Sequence, residues 1–208
     1  PSASSVATGW SRAWVGAAAI ALLACGGLAQ NQRSVFPDDS VVAPDALIRV
    51  RELHEAGNTA EALRVLQTLL DTDAEKVLVS AADPDIFYPV RRHVHDMLLG
   101  TPDLLARYRE QEEPRAAQLV TSGDLASAER TRFLTPSGME AALRLAQLEL
   151  ESARFESARL YLQPLEIHPD RSPGSPAAAD CAALAVTVAA YLTQDGRRPE
   201  VAAWAARW

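Results

Sequence analysis

Residues 137–169 read SGMEAALRLAQLELESARFESARLYLQPLEIHP, and this stretch decides the fold class. Ser137-Gly138-Met139-Glu140 has the form of a capping box, which opens a helix. Ala142, Leu145, Ala146 and Glu149 then fall on one side of a helix. Ala153-Arg154 marks a turn. Phe155, Ala158, Leu162 and Leu165 line one side of a second helix, which Pro169 closes. Apolar residues three and four apart on both sides of a short turn predict two antiparallel helices packed on each other.

The same layout is expected upstream and downstream. Leu47, Val50 and Leu53 predict a helix from about Ala46, ended by Gly57 in a left-handed C-cap. Asn58 and Glu61 form a second capping-box pattern before Ala62, Leu66, Leu69 and Leu70. Ala177 to Thr193 predicts a long Ala-rich helix, broken at Gly196, with a partner from Glu200 to Trp208. The stretch between Pro169 and Pro176 holds Pro, Gly and Ser and predicts a loop.

Between the first two pairs the pattern is less regular. Val77-Leu78-Val79 suits a short extended piece. A helix is expected from Pro89 or Val90 to Gly100, carrying Val94, Met97 and Leu98 on one face. Thr101-Pro102 starts the next, with Leu104, Leu105 and Tyr108 inward. Pro114 is expected to interrupt or kink it, because proline lacks an N–H and crowds the preceding turn. A short helix from Asp124 to Phe133 follows.

Composition agrees with an all-α class. The chain has 208 residues, rich in Ala, Leu and Arg, with one lysine, Lys76. Its formal charge is −7, and removing Arg12, the only charge of the first 29 residues, leaves −8. No basic stripe exists, which argues against nucleic acid as a partner. The chain begins without Met and stops at Trp208 within a helical pattern, so a fragment truncated at its C-terminus is expected.

Residues 1–29 read as a signal peptide: Arg12, then the apolar run Val15 to Leu23, too short to span a bilayer. Two endings compete. Gly27-Leu28-Ala29 suits ordinary cleavage before Gln30. Leu22-Leu23-Ala24-Cys25-Gly26 resembles a bacterial lipobox, which would place a lipid on Cys25 and supply the only membrane contact. Export to the periplasm or cell envelope is expected either way. Residues 30–45 read as a linker, and 46–208 as the helical domain.

The helix pairs resemble the tetratricopeptide repeat. Leu145-Ala146 stands where that family has Leu-Gly, Phe155 where it has Tyr, and Ala158 where it has Ala. The turn residues are Gly57, Ala153 and Gly196, so a tetratricopeptide-like array of helical hairpins, an α-solenoid, is expected, with an irregular helical insert between the first and second pairs. Between Val77 and Arg171 a narrower likeness appears. Leu104 to Arg109, Ala116-Ala117, Phe133-Leu134-Thr135 with Gly138, and His168-Pro169 are similar to the helical N-terminal segment of exported planctomycete-type proteins. In those proteins a quinoprotein-like β-propeller follows, which implies an accessory role beside a propeller or oxidoreductase lying beyond Trp208.

No catalytic constellation, cofactor site or metal site is expected. His93-Val94-His95 on a helix points its rings to different sides, and the reading there is a solvated polar face. Glu110, Glu112 and Glu113 read likewise. His54 and His168 lie near helix ends, where an imidazolium suits the dipole. Cys181 reads as a small buried hydrophobe. Tyr108, Tyr161, Trp204 and Trp208 are candidate partner-binding aromatics, with core packing as the alternative. The function expected from these observations is a non-catalytic scaffold for protein partners.

Overall fold

Two helices, α1 (Ala43–Glu55) and α2 (Thr59–Thr72), open the structure, a computed structural model that describes residues 38–80, 83, 85–193 and 198–208. A small hairpin follows, of β1 (Val77–Val79) and β2 (Phe87–Pro89). Then come α3 (Val90–Leu99), α4 (Pro102–Thr121), α5 (Leu125–Arg132), α6 (Pro136–Glu151) and α7 (Phe155–Leu162). A 3-10 turn, Gln163–Ile167, leads to α8 (Pro176–Leu192) and α9 (Pro199–Ala205). The described chain is mostly helical, as its composition demands. Among the described residues no helix is long and apolar enough to cross a membrane. The leader, Cys25 and Gly196 lie outside the described residues.

The decisive turn repeats three times. Ala56-Gly57-Asn58, Ser122-Gly123-Asp124 and Ser152-Ala153-Arg154 each join two helices. In each, the middle residue has positive φ: 76° at Gly57, 84° at Gly123 and 57° at Ala153. The third residue of each donates its N–H to a carbonyl five residues back: Asn58 to Leu53, Asp124 to Leu119, Arg154 to Glu149. Such a 6→1 bond satisfies a carbonyl that the helix end leaves open. Five residues after each turn centre stands Ala62, Ala128 or Ala158, each fully buried. A methyl group there lets the paired helices approach closely. Gly123 lies in the segment expected to be an irregular insert, and its turn is the same as the other two.

Ala153 holds a conformation that costs an L-residue about 1–2 kcal/mol. Ala153→Gly is therefore expected to raise stability by roughly 0.5–1 kcal/mol, after the extra freedom of glycine in the unfolded chain is subtracted. Urea unfolding of the two proteins measures it; an unchanged or lowered midpoint contradicts the strain.

Several local expectations are corrected. Helix α4 runs unbroken through Pro114. Pro114 and Glu110 both face solvent, so water can serve the Glu110 carbonyl that loses its donor. Asn58 makes no side-chain cap, and Glu61 instead grips Arg64 with two bonds of 2.6 and 2.8 Å. Ser137 is not the cap of α6. Thr135 is, its Oγ1 accepting from Gly138 N at 3.0 Å, with Pro136 at the first helical position. Helix α1 starts at Ala43, three residues before expectation, with Pro44 in its first turn.

The last residues of the expected linker are tied down. Asp38 to Ser40 run parallel to β1: Val77 N donates to Asp38 O, and Ser40 N to Val77 O, both at 3.0 Å. Ser40 is 4% exposed; its hydroxyl donates to Asp73 and accepts from Ala43 N. In the hairpin, Leu78 faces Tyr88 and Val79 faces Phe87. The extended reading of 77–79 holds; its partner strand was not foreseen.

One apolar cluster extends from Ala43 in α1 to Trp204 in α9, with Leu66, Leu70, Leu98, Leu104, Phe133, Leu134, Leu162 and Leu165 fully buried. A smaller one joins Val120, Ala128 and Ala141.

Candidate functional site

The segment joining α5 to α6 packs closely on the start of α6, with Gly138 against the Arg132 and Phe133 backbone. Thr135 Oγ1 donates to Arg132 O at 2.8 Å while it caps α6. Glu113, from α4, accepts from Ser137 N at 3.1 Å and Ser137 Oγ at 2.7 Å. A carboxylate at the N-terminus of α6 also complements the helix dipole. Phe133 lies beneath, 1% exposed.

Two imidazoles flank Phe133. His95, from α3, stacks on its ring at 5.4 Å between centroids and 25° between planes. His168 meets it edge-on at 5.1 Å and 88°. His168 Nε2 lies 2.9 Å from Phe133 O, and its Nδ1 accepts from Asp170 N at 3.1 Å. That pairing fixes a neutral ring with its proton on Nε2. Burial holds the His168 pKa below its ordinary value, against the backbone bond to Phe133 and the charge of Asp170. His95 is 8% exposed, and its Nε2 has no partner. Burial, helped by the nearby Arg91 and His168, pushes its pKa down to about 3.

The solvated polar face expected at His95 is thus wrong: the ring is a core group. An imidazolium at His168 is equally wrong. His93 does point elsewhere, edge-on to Tyr88 at 5.8 Å.

A groove of about 430 Å³ opens above this centre, between β2 and α3 on one side and the end of α7 with the 3-10 turn on the other. Its rim carries Leu160 and Ile167, 60% and 56% exposed. Its ionic groups close on one another. Arg91 reaches Glu129 at 3.2 Å, Arg92 reaches Asp96 at 3.8 Å, and Arg207 holds Glu166 with two bonds of 2.8 and 2.9 Å. Desolvation raises the Glu129 pKa, with Arg91 pulling it back.

His95 makes stability depend on pH. The unfolded chain binds its proton near pH 6.5 and the folded chain near 3, so stability is lost as pH falls through that window. The slope approaches ~1.4 kcal/mol per pH unit for one group. His95→Leu is expected to flatten the wild-type curve by about that slope between roughly pH 6 and 4. Parallel curves for the two proteins, from urea unfolding at each pH, exclude the burial penalty.

A second polar network joins α2, α4 and α5. Tyr108 Oη donates toward Gln67 Oε1 at 3.2 Å and Thr131 O at 3.3 Å. Arg132 donates to Glu112 at 3.1 Å, to Asp71 at 3.3 Å and to Thr131 Oγ1 at 2.7 Å. Glu112 and Arg132 are 8% and 9% exposed. The Glu110 to Glu113 run is therefore not a solvated face: only Glu110 is fully out, while Glu112 and Glu113 bind across to α5 and α6.

The candidate partner-binding aromatics divide. Tyr108 and Trp204, 1% and 3% exposed, are core residues and present no face to a partner. Burial also lifts the Tyr108 hydroxyl well above its ordinary pKa. Tyr161 and Trp208 are half-buried and pack on the core. Arg171 sits 4.2 Å over the Trp208 ring. Cys181 is buried, its thiol pushed up to about 11 by desolvation. Among the described residues no group of three or more His, Cys, Asp or Glu is placed to hold a metal ion. No protein-family model matches the chain, and no curated protein or solved structure matches it either.

Proposed function

We propose that this chain is a non-catalytic scaffold that binds protein partners in the periplasm or cell envelope. The observation that carries the reading is the turn found at Gly57, Gly123 and Ala153, each followed by a buried Ala five residues on. Stacked helix pairs of this kind form tetratricopeptide-like arrays, whose business is to present an extended surface. Val201, buried in α9, stands at the matching place after Gly196 and supports a further pair. The leader read in residues 1–29 supplies the address.

The groove above Phe133 is the surface that suits a partner. Leu160 and Ile167 stand exposed beside it, and its charges are already paired, so apolar contacts would carry the binding. The test is retention from an envelope extract by the full chain, compared with Leu160→Glu/Ile167→Glu. The wild type is expected to hold a defined protein and the variant, with an unchanged circular dichroism spectrum, at least ~10-fold less of it. Equal retention, or none by the wild type, counts against the proposal.

A second reading makes the chain the helical front of a quinoprotein-like propeller. The residues that carry that resemblance converge in space: Tyr108 on Thr131, Arg109 on Asp170, His168 on Phe133, and Gly138 beside them. A gene sequence with propeller repeats beyond Trp208 supports this reading; a stop codon there ends it.

A further inference from the structure

The connector from Gln163 to Asp170 is anchored by Leu165, fully buried, by Arg207 and Arg171 on Glu166, and by two polar ties that share Asp170. The first is His168, whose side chain has no exposed surface. Its Nε2–H donates to Phe133 O, and its Nδ1 accepts the Asp170 N–H. The second is Arg109 from α4, whose Nη2 donates to both carboxylate oxygens of Asp170 at 2.5 and 2.6 Å. At neutral pH the two ties are compatible, because His168 uses the Asp170 backbone and Arg109 uses its side chain.

Adding a proton makes them compete. The proton comes from solvent and bonds to the Nδ1 lone pair; the Nε2–H stays. Two donors, Nδ1–H and Asp170 N–H, then face each other across 3.1 Å. The nearest carboxylate oxygen for the new N–H is Asp170 Oδ2, 4.0 Å away, and the Thr135 backbone also interacts with the ring. Closing to a hydrogen-bond distance near 3 Å takes a shift of about 1 Å. That shift draws the carboxylate off Arg109. Among the described residues no other carboxylate acts on His168. Arg109 faces it from α4 and disfavours the charge, and His95 stands across the Phe133 ring from α3. Beyond His95 lie Arg91 on its own helix and, in the groove, Glu129 from α5, Asp96, and the closed pair Arg207–Glu166.

We propose that His168 is an acid-operated latch: protonated at Nδ1, it takes Asp170 from Arg109 and frees the Asp170 end of the connector from α4, while its Nε2–H stays on Phe133 O and α1 and α2 remain folded. Release loosens the part of the groove wall next to Ile167, with Glu166 still held by Arg207. Acidification would thereby reshape that surface without unfolding the domain.

Hydrogen exchange of the full 208-residue chain, corrected for intrinsic rates and for the global loss of stability that His95 imposes (urea unfolding at each pH), tests this between about pH 7 and 4.5. Peptides covering 163–171 are expected to lose protection by up to ~10-fold per pH unit once His168 titrates. Peptides covering 59–72 keep theirs. His168→Gln is expected to abolish the pH dependence in 163–171, since an amide can still donate to Phe133 O and takes up no proton. If that variant does not fold, the wild-type His168 ring resonance is followed by NMR: its midpoint, below the ordinary imidazole value, must coincide with loss of Asp170 amide protection. The latch is overturned by an unchanged pH slope in His168→Gln, by a ring that titrates while 163–171 stays protected, or by loss of α2 protection in step with the connector.

Discussion

Gly138→Ala is expected to remove about 4 kcal/mol of stability, a large share of the total of order 5–15 kcal/mol that a domain has. A Cβ at Gly138 would stand 2.0 Å from Arg132 O, 2.7 Å from the Arg132 carbonyl carbon and 2.8 Å from Phe133 Cα. All three atoms are backbone, so no side-chain rotation relieves the overlap. Helix α6 must lift off the turn that precedes it. Overpacking of this kind typically costs ~1–3 kcal/mol. Lifting also breaks the Thr135 cap, for about another 1 kcal/mol, and strains the Glu113 bonds to Ser137. The φ at Gly138 is not the issue: it lies inside a helix, and the requirement is space. Urea unfolding of the full chain measures the loss. A midpoint within error of the wild type means that the junction can yield.

Arg132→Ala is expected to cost about 3–5 kcal/mol, the usual result of leaving one member of a buried ion pair alone. Glu112 is then 8% exposed with its guanidinium partner gone, and Asp71 and Thr131 Oγ1 lose a donor as well. The ledger reverses if both charges go together. Arg132→Met with Glu112→Gln is expected to recover most of the loss, because the desolvation of two ions is no longer required. The double-mutant cycle, again by urea unfolding, reads the coupling directly. A loss under about 1 kcal/mol for Arg132→Ala means that water reaches Glu112.

The helical class was legible because the apolar spacing is strong where it matters. Phe155, Ala158 and Leu162 declare one face of a helix without help from the rest of the chain, whereas Leu165, expected on the same helix, falls in the 3-10 turn that follows it. The turns at Gly57 and Ala153 were legible for the same reason. The turn at Gly123 was not, because Pro114 hides the long helix that it ends. The cap of α6 was misplaced by two residues, although Thr135-Pro136 repeats the Thr-Pro signal read at Thr101-Pro102.

The candidate site was much less legible. His95 sits beside Val94 on α3, and its polarity suggested water. What buries it is Phe133, delivered by a turn that no local pattern locates. Glu112 looked solvated for the same reason: its partner, Arg132, comes from another helix. The segment Asp38 to Ser40 has the composition of a linker, and only its bridge to Val77 makes it part of the fold.

That bridge has a mechanical consequence. The two bonds at Val77 and the Ser40–Asp73 contact all lie between Asp38 and the start of α1. A pull applied at Asp38 therefore loads this clasp first, and its contacts bear the load together before α1 feels it.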